Sequence, residues 1–137
     1  MKKVFVDTDI VLDLLSNREP FYPFAAHLFS EGDKGNIKLY VSSLCFSNLN
    51  YILTRQYSTE QARKKLLKFK TLVSVLAVTD KVVELALSSE FKDFEDGLQY
   101  FTAIENNLKI VLTRNLKDYK TAEITVMTAE QFLKGQR

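Results

Sequence analysis

The feature that most narrows the folds open to this chain is its alternation of short apolar runs with longer amphipathic stretches. Lys3 to Asp7, Ile37 to Val41, Val73 to Val78 and Lys109 to Thr113 each have the length and apolar content of a buried strand. A weaker fifth run covers Ile124 to Met127. Between them, apolar residues return at helical spacing: Ile10 to Leu15, then Phe24, Ala25, Leu28 and Phe29, then Leu44, Phe46, Leu49, Ile52 and Leu53. Later helical segments carry Ala62, Leu66, Leu67 and Phe69, then Val82, Val83, Leu85 and Ala86, then Phe94, Leu98, Phe101 and Ile104. Strands joined through helices need crossover connections. The pattern therefore predicts an α/β fold, a three-layer sandwich with a central, mostly parallel sheet of four to five strands flanked by helices.

Local punctuation agrees with that scheme. Pro20 breaks the first helical region, and Gly32 and Gly35 mark the end of the next. Ser42 or Ser43, Thr59, Asp80, Asp93 and Thr128 stand where helices should open. No repeat, low-complexity tract or Pro/Gly/Ser-rich linker divides the 137 residues, which predicts a single domain over 1–137. A composition 46% hydrophobic and 26% charged, with 4 Gly and 2 Pro, is that of a packed chain and not of a disordered one.

Charge and cysteine content exclude some functions and leave others open. A formal charge of +2, from 19 basic and 17 acidic residues, neither requires nor forbids a nucleic-acid partner, so any RNA contact must rest on a local patch. The lone Cys45 cannot form an intramolecular disulfide, and reads as a small buried hydrophobe in a reducing compartment. The apolar run after Lys3 is cut by Asp7, well short of the roughly 7–15 residues of a secretory core. Leu72 to Val78 is far below the roughly 18 residues that span a bilayer. The expectation is a cytoplasmic protein with no membrane partner.

In parallel sheets, ligands bind outside the carboxyl ends of the strands. The polar residues at those ends are Asp7, Thr8, Asp9, Ser42, Ser43, Thr113, Arg114 and Asn115. A carboxylate at the mouth of a buried strand is costly unless it is paired or metal-bound, which favours a functional Asp7. Asp9 is either part of the same site or a helix N-cap, with Asp7 then a turn residue. Asp93 fits an N-cap, and Asp96 three residues on lies beside the positive end of the helix dipole, where a carboxylate stays ionised and can hold a cation. Gly97 could let substrate or metal approach closely. Asn115 and Asp118 are either turn formers or polar groups of that same site.

Carboxylates of Asp7, Asp96 and Asp118 meeting at one sheet edge would suit Mg²⁺ or Mn²⁺. These hard cations take oxygen ligands, keep several waters and bind through one or two carboxylates plus substrate phosphate. Such ions activate water and stabilise in-line attack on phosphorus. With one cysteine and one histidine, zinc is not expected, and His27, within an apolar helix, reads as structural.

Three segments, Val4 to Asp13, Asp93 to Ala103 and Ile110 to Tyr119, together resemble the signature segments of PIN domains, in the right order and across essentially the whole chain. Many members of that family are toxins of bacterial toxin–antitoxin pairs that cut RNA with Mg²⁺ or Mn²⁺ held by an acidic cluster. The resemblance implies that Asp7, Asp96 and a polar residue of the last loop, Asp118, are catalytic metal ligands. It casts Asp9, Asn48, Asp93, Thr113 and Asn115 as supporting or water-positioning groups. The family usually places a glutamate where this chain has Asn48, and an acid where it has Asn115. It thus implies a site short of one charge, which Asn48→Glu should restore.

Two other functions fit parts of the sequence. Asp7-Thr-Asp9 also matches the first motif of haloacid-dehalogenase-type phosphatases, with Asp7 as nucleophile and Asp9 as general acid, chemistry that needs a lysine partner. Asn48 and Asn115 also suit a PIN-like RNA- or protein-binding module without catalysis. The basic residues Arg63, Lys64 and Lys65, with Arg114, could contact RNA phosphates, the alternative for the helical run being a solvated face. Phe21, Tyr22 and Phe24 are either core or, if exposed, a contact for a homodimer or an antitoxin.

Overall fold

The computed structural model describes residues 1–119 and 123–135. Five parallel strands run β1 (Lys2–Val6), β2 (Ile37–Ser42), β3 (Ser74–Leu76), β4 (Ile110–Leu112) and β5 (Thr125–Met127), in the spatial order β3-β2-β1-β4-β5. Seven helices connect or flank them: α1 (Thr8–Leu15), α2 (Tyr22–Asp33), α3 (Ser43–Gln56), α4 (Thr59–Lys70), α5 (Asp80–Leu87), α6 (Phe94–Glu105) and α7 (Ala129–Lys134). A 3-10 turn, Leu116–Tyr119, follows β4. The parallel three-layer architecture agrees with the sequence pattern.

Period-two alternation along β1 divides the core. Val4 and Val6 face one way, into a cluster with Ile10, Leu28, Leu49, Leu53, Phe69 and Phe132, contributed by α1, α2, α3, α4 and α7. Phe5, between them, faces the other way and packs with Tyr100, Ala103 and Val111 against α6. All three strand residues are fully buried, and a side chain of this kind contributes roughly 1.5–3 kcal/mol when removed from water. The first strand is therefore the keel of both layers.

Helix starts are set by side-chain caps. Ser42, Ser58, Thr79, Asp93 and Thr128 each accept a hydrogen bond from the backbone N–H three residues on. Helix α4 opens at Thr59 as expected, while the cap of α5 moves by one residue, from Asp80 to Thr79. Asp7 caps α1, accepting from Thr8 N at 2.7 Å, so the N-cap is Asp7 and not Asp9.

Several burial expectations also change. Leu67 and Phe94 are exposed, since α4 turns Ala62, Leu66 and Phe69 inward while α6 buries Asp96, Leu98, Gln99, Thr102 and Ala103. His27 lies exposed on α2 and is no core residue. Cys45 is buried as expected, and burial pushes its thiol up to about 12.

The strand order fixes where a site can form. From β1 the chain steps outward through β2 to β3, then returns to lay β4 on the opposite side of β1. Such a reversal opens a crevice at the carboxyl ends of the two strands between which it occurs. Here those ends are Asp7 and Thr113, joined by the backbone bond Asp7 N to Leu112 O at 2.9 Å.

Candidate active site

A cleft of about 640 Å³ opens at that reversal, lined among others by Asp7, Asp9, Asn48, Glu95, Asp96 and Asn115. Its floor is Asp7, 5% exposed, whose carboxylate is held by four donors. Oδ1 accepts from Thr8 N at 2.7 Å and from Gln99 Nε2 at 3.4 Å; Oδ2 accepts from the Thr113 hydroxyl at 2.8 Å and the Tyr119 hydroxyl at 3.3 Å. Burial raises the pKa of Asp7 from its ordinary value, against these four bonds, which lower it.

Gln99 ties the floor to the sheet. Its Nε2 also donates to Thr8 Oγ1 at 3.0 Å, while its Oε1 accepts from the buried Ser42 hydroxyl at 2.5 Å. Asp9 lies beside Asp7, with Oδ2 accepting from Arg114 N at 3.0 Å. Its Oδ1 is buried with no hydrogen-bond partner among the described residues. Burial first, then the charge of Asp7, pushes Asp9 up to about 7.

Asp96, 8% exposed in the first turn of α6, completes the group. Its pKa is likewise pushed up to about 7, first by burial and then by the charges of Asp7, Asp93, Asp118 and Asp9. These carboxylates therefore repel one another inside a desolvated cleft. Asp93, the exposed N-cap of α6, stands at the rim.

Opposite, Asn48 of α3 donates from Nδ2 to Glu95 Oε1 at 2.8 Å. Glu95 was not expected at the site. Its position beside Asp96 and next to the cap was the available signal, and Gln99, one helical turn from Asp96, shares that face.

Three expectations need correction. Asp118 is exposed in the 3-10 turn and does not line the cleft; the turn instead buries its neighbour Tyr119 against Asp7. Among the described residues no three His, Cys, Asp or Glu side chains form a group that could by itself hold a metal, so the expected triad of Asp7, Asp96 and Asp118 is not assembled. Arg114, expected at RNA, has its guanidinium committed inward. Nε and Nη2 donate to Asp13 at 2.8 and 3.0 Å, and the group lies 4.1 Å from the centre of the Phe21 ring.

Gly97 does not open the cleft either. A Cβ there would touch Ala86 Cβ at 3.4 Å, so its smallness serves the packing of α6 on α5. The basic residues Arg63, Lys64 and Lys65 line no part of the cleft. Lys64 pairs with Glu60 at 3.4 Å, and Lys65 lies 4.6 Å from the centre of the Tyr57 ring.

The donor set suits a hard cation. A buried carboxylate oxygen without a partner, among acids that raise each other's pKa, is costly unless a proton or cation compensates it. Asp7 and Asp96 offer the one or two carboxylates that Mg²⁺ or Mn²⁺ uses when waters and substrate phosphate supply the rest. A phosphatase with Asp7 as nucleophile fits poorly, since four donors hold that carboxylate and no lysine among the described residues lines the cleft.

Comparison with known proteins agrees with the parallel sheet flanked by helices. The family model described as PIN domain matches residues 3–117. The chain is 27% identical over 139 residues to Ribonuclease VapC1 of Aquifex aeolicus, covering 96% of this chain and 93% of that protein. Among solved structures, it resembles DNA-bound VapBC from Salmonella typhimurium at a TM-score of 0.72 and 16% identity, over 94% of this chain and 99% of that one. It also resembles VapC20 of Mycobacterium tuberculosis, described as a sarcin-ricin loop cleaving toxin, at a TM-score of 0.70 and 17% identity, over 89% and 96% of the two chains.

Proposed function

The chain belongs to the PIN domain family, and on that footing we propose that it is a metal-dependent endoribonuclease, the toxin of a toxin–antitoxin pair. The observation that carries this reading is the gathering of buried Asp7 and Asp96 with half-buried Asp9 in one cleft at the strand reversal, with no lysine, cysteine or histidine lining it among the described residues. Such a site gathers carboxylates with no histidine among the described residues to activate its hydroxyls, and fits hydrolysis by water at phosphorus. Bound Mg²⁺ or Mn²⁺ would supply an activated water and neutralise charge on the phosphoryl oxygens.

The chain's own residues do the positioning. Asp7 and Asp96 would hold the ion from two elements, the end of β1 and the first turn of α6. The hydroxyls of Thr113 and Tyr119 fix Asp7 so that its orientation does not depend on substrate. Asp9, held by Arg114 N, stands where it can orient water or take a proton, its pKa near neutrality suiting a general base. Asn115 and Asp93 would shape the rim.

An antitoxin protein and RNA are the partners this reading implies, and a homodimer is compatible with it. A location in the cytoplasm accords with the finding that, among the described residues, no helix is long and apolar enough to cross a membrane.

The test is cleavage of a mixed RNA pool with and without Mn²⁺, beside the Asp96→Asn variant. Mn²⁺-dependent cutting that falls more than about 100-fold in the variant is expected, beyond the 10–100-fold typical of losing an outer partner of a metal ligand. Cutting that persists in Asp96→Asn, or none with any divalent ion, would overturn the reading.

A further inference from the structure

Tyr51 is the aromatic residue lining the acidic cleft, and it is 64% exposed. Residues 48, 51 and 55 share one face of α3, at i, i+3 and i+7, while Cys45, Leu49 and Leu53 form its buried face. The core therefore does not need the Tyr51 ring. Arg55 lies over it, with its guanidinium 5.5 Å from the ring centre and Nη1 donating to the Tyr51 hydroxyl at 3.3 Å. Among the described residues Arg55 has no carboxylate in an ion pair. An oriented, solvent-facing ring thus sits beside a cation with no carboxylate partner among the described residues, at the mouth of the candidate active site.

We infer that this stripe of α3 is a stacking platform for single-stranded RNA, with one base lying on Tyr51 and an adjoining phosphate taken by Arg55. The inference rests on the ribonuclease reading and adds to it the residues that would seat the strand. Every base offers a flat π-face, so a tyrosine binds it without regard to sequence. Duplex RNA keeps those faces stacked inside its helix and is recognised through its minor groove and backbone instead. Four residues along a helix rise about 6 Å, which places ring and guanidinium within reach of neighbouring parts of one strand. The acidic floor repels a polyanion, and Arg55 offsets that repulsion on the approach to it. Arg63, Lys64 and Lys65 of α4 are not required for this contact.

The test is fluorescence anisotropy with a labelled oligouridylate, in chelator so that the RNA is not consumed, beside a hairpin RNA that is fully paired. The parent should bind the single strand more tightly than the hairpin. Tyr51→Ala should weaken single-strand binding about 5- to 150-fold, the range for losing one stacked base. Tyr51→Phe, which keeps the ring, should stay within about twofold of the parent, and Arg55→Gln should weaken binding and lower its dependence on salt by roughly one counterion. Unchanged affinity in Tyr51→Ala, or equal losses on single strand and hairpin, overturns the platform and leaves the exposed stripe to a protein partner.

Cleavage assays keep the two readings apart. Tyr51-dependent binding without Mn²⁺-dependent cutting would sink the ribonuclease and spare the platform. Cutting by Tyr51→Ala with the parent's KM would do the reverse.

Discussion

Asn48 donates its amide to Glu95 Oε1 at 2.8 Å, tying α3 to the first turn of α6 across the mouth of the cleft. The neutral residue thus holds a carboxylate where the family usually has one of its own. On the proposed metal-site reading, the charge that Asn48 lacks would come from Glu95 on another helix. Glu95→Gln should weaken Mn²⁺ binding, measured by calorimetry, because hard-ion affinity rises with ligand charge. Asn48→Glu alone should not tighten binding, since it would set two carboxylates against each other. The double change Asn48→Glu with Glu95→Gln should return affinity toward the parent. Equal affinity in Glu95→Gln and the parent would place Glu95 outside the ion's field.

Stability without metal should depend on pH in a direction opposite to that of a salt-bridged acid. Asp9 and Asp96 are pushed up to about 7 in the folded state, against about 4 when unfolded. Between these values the folded chain binds more protons, so stability falls as pH rises. Their contribution is full below about 4 and lost as pH passes about 7. Thermal unfolding in chelator at pH 5.5 and 8 should show the lower Tm at the higher pH. Asp96→Asn should narrow that difference, and Mn²⁺ should raise Tm most at pH 8. A flat profile would mean that the acids are already compensated within the fold.

Gln99 should matter out of proportion to its distance from solvent. Gln99→Met fills similar volume but removes the donor to Asp7 and Thr8, and leaves the Ser42 hydroxyl buried without its acceptor. An unsatisfied buried group costs about 1–3 kcal/mol, which denaturant unfolding would register. Cleavage should drop about 10- to 100-fold with little change in KM, as expected for a partner that orients a metal ligand. A rise in KM alone would assign Gln99 to substrate.

Asp13→Ala should unfold the chain more readily than any surface change. Asp13 is 1% exposed and is the bidentate partner of Arg114, so its removal strands a guanidinium three-quarters withdrawn from water. Breaking a buried pair costs about 3–5 kcal/mol, and partial exposure of Arg114 should place this case near ~3 kcal/mol. Activity should fall as well, because Arg114 carries the backbone N–H that holds Asp9. If Arg114→Met with Asp13→Leu recovers stability but not cleavage, the pair serves the site more than the fold.

Period-two and helical patterns made the sheet and its order of elements legible, because burial on both faces of β1 leaves a continuous apolar run ending at Asp7. The same logic found Asp7, Asp9 and Asp96, which sit where the strands or a helix dipole place them. What the pattern could not carry was the direction of side chains in the loop after β4. A 3-10 turn decides there that Tyr119 and not Asp118 faces inward. Arg114 was misread for a related reason: its charge suggests solvent, whereas its partner Asp13 lies far away in sequence and close in space. Gln99 and Glu95 are not legible in the sequence because their roles come from contacts between distant elements, Gln99 with Ser42 and Asp7, Glu95 with Asn48.

The hydroxyls that hold Asp7 come from residues more than a hundred positions later in the chain. Synthesis proceeds from the other end, at about 5–20 residues per second. A nascent polypeptide that has emerged only through α6 has both acids, Asp7 and Asp96, yet lacks Thr113 and Tyr119 and leaves one side of β1 an unpaired edge. On the ribonuclease reading, chemistry would wait for β4 to dock. On the same reading, a product of translation stalled before Thr113, or of degradation from the carboxyl end past it, would be disarmed by topology alone.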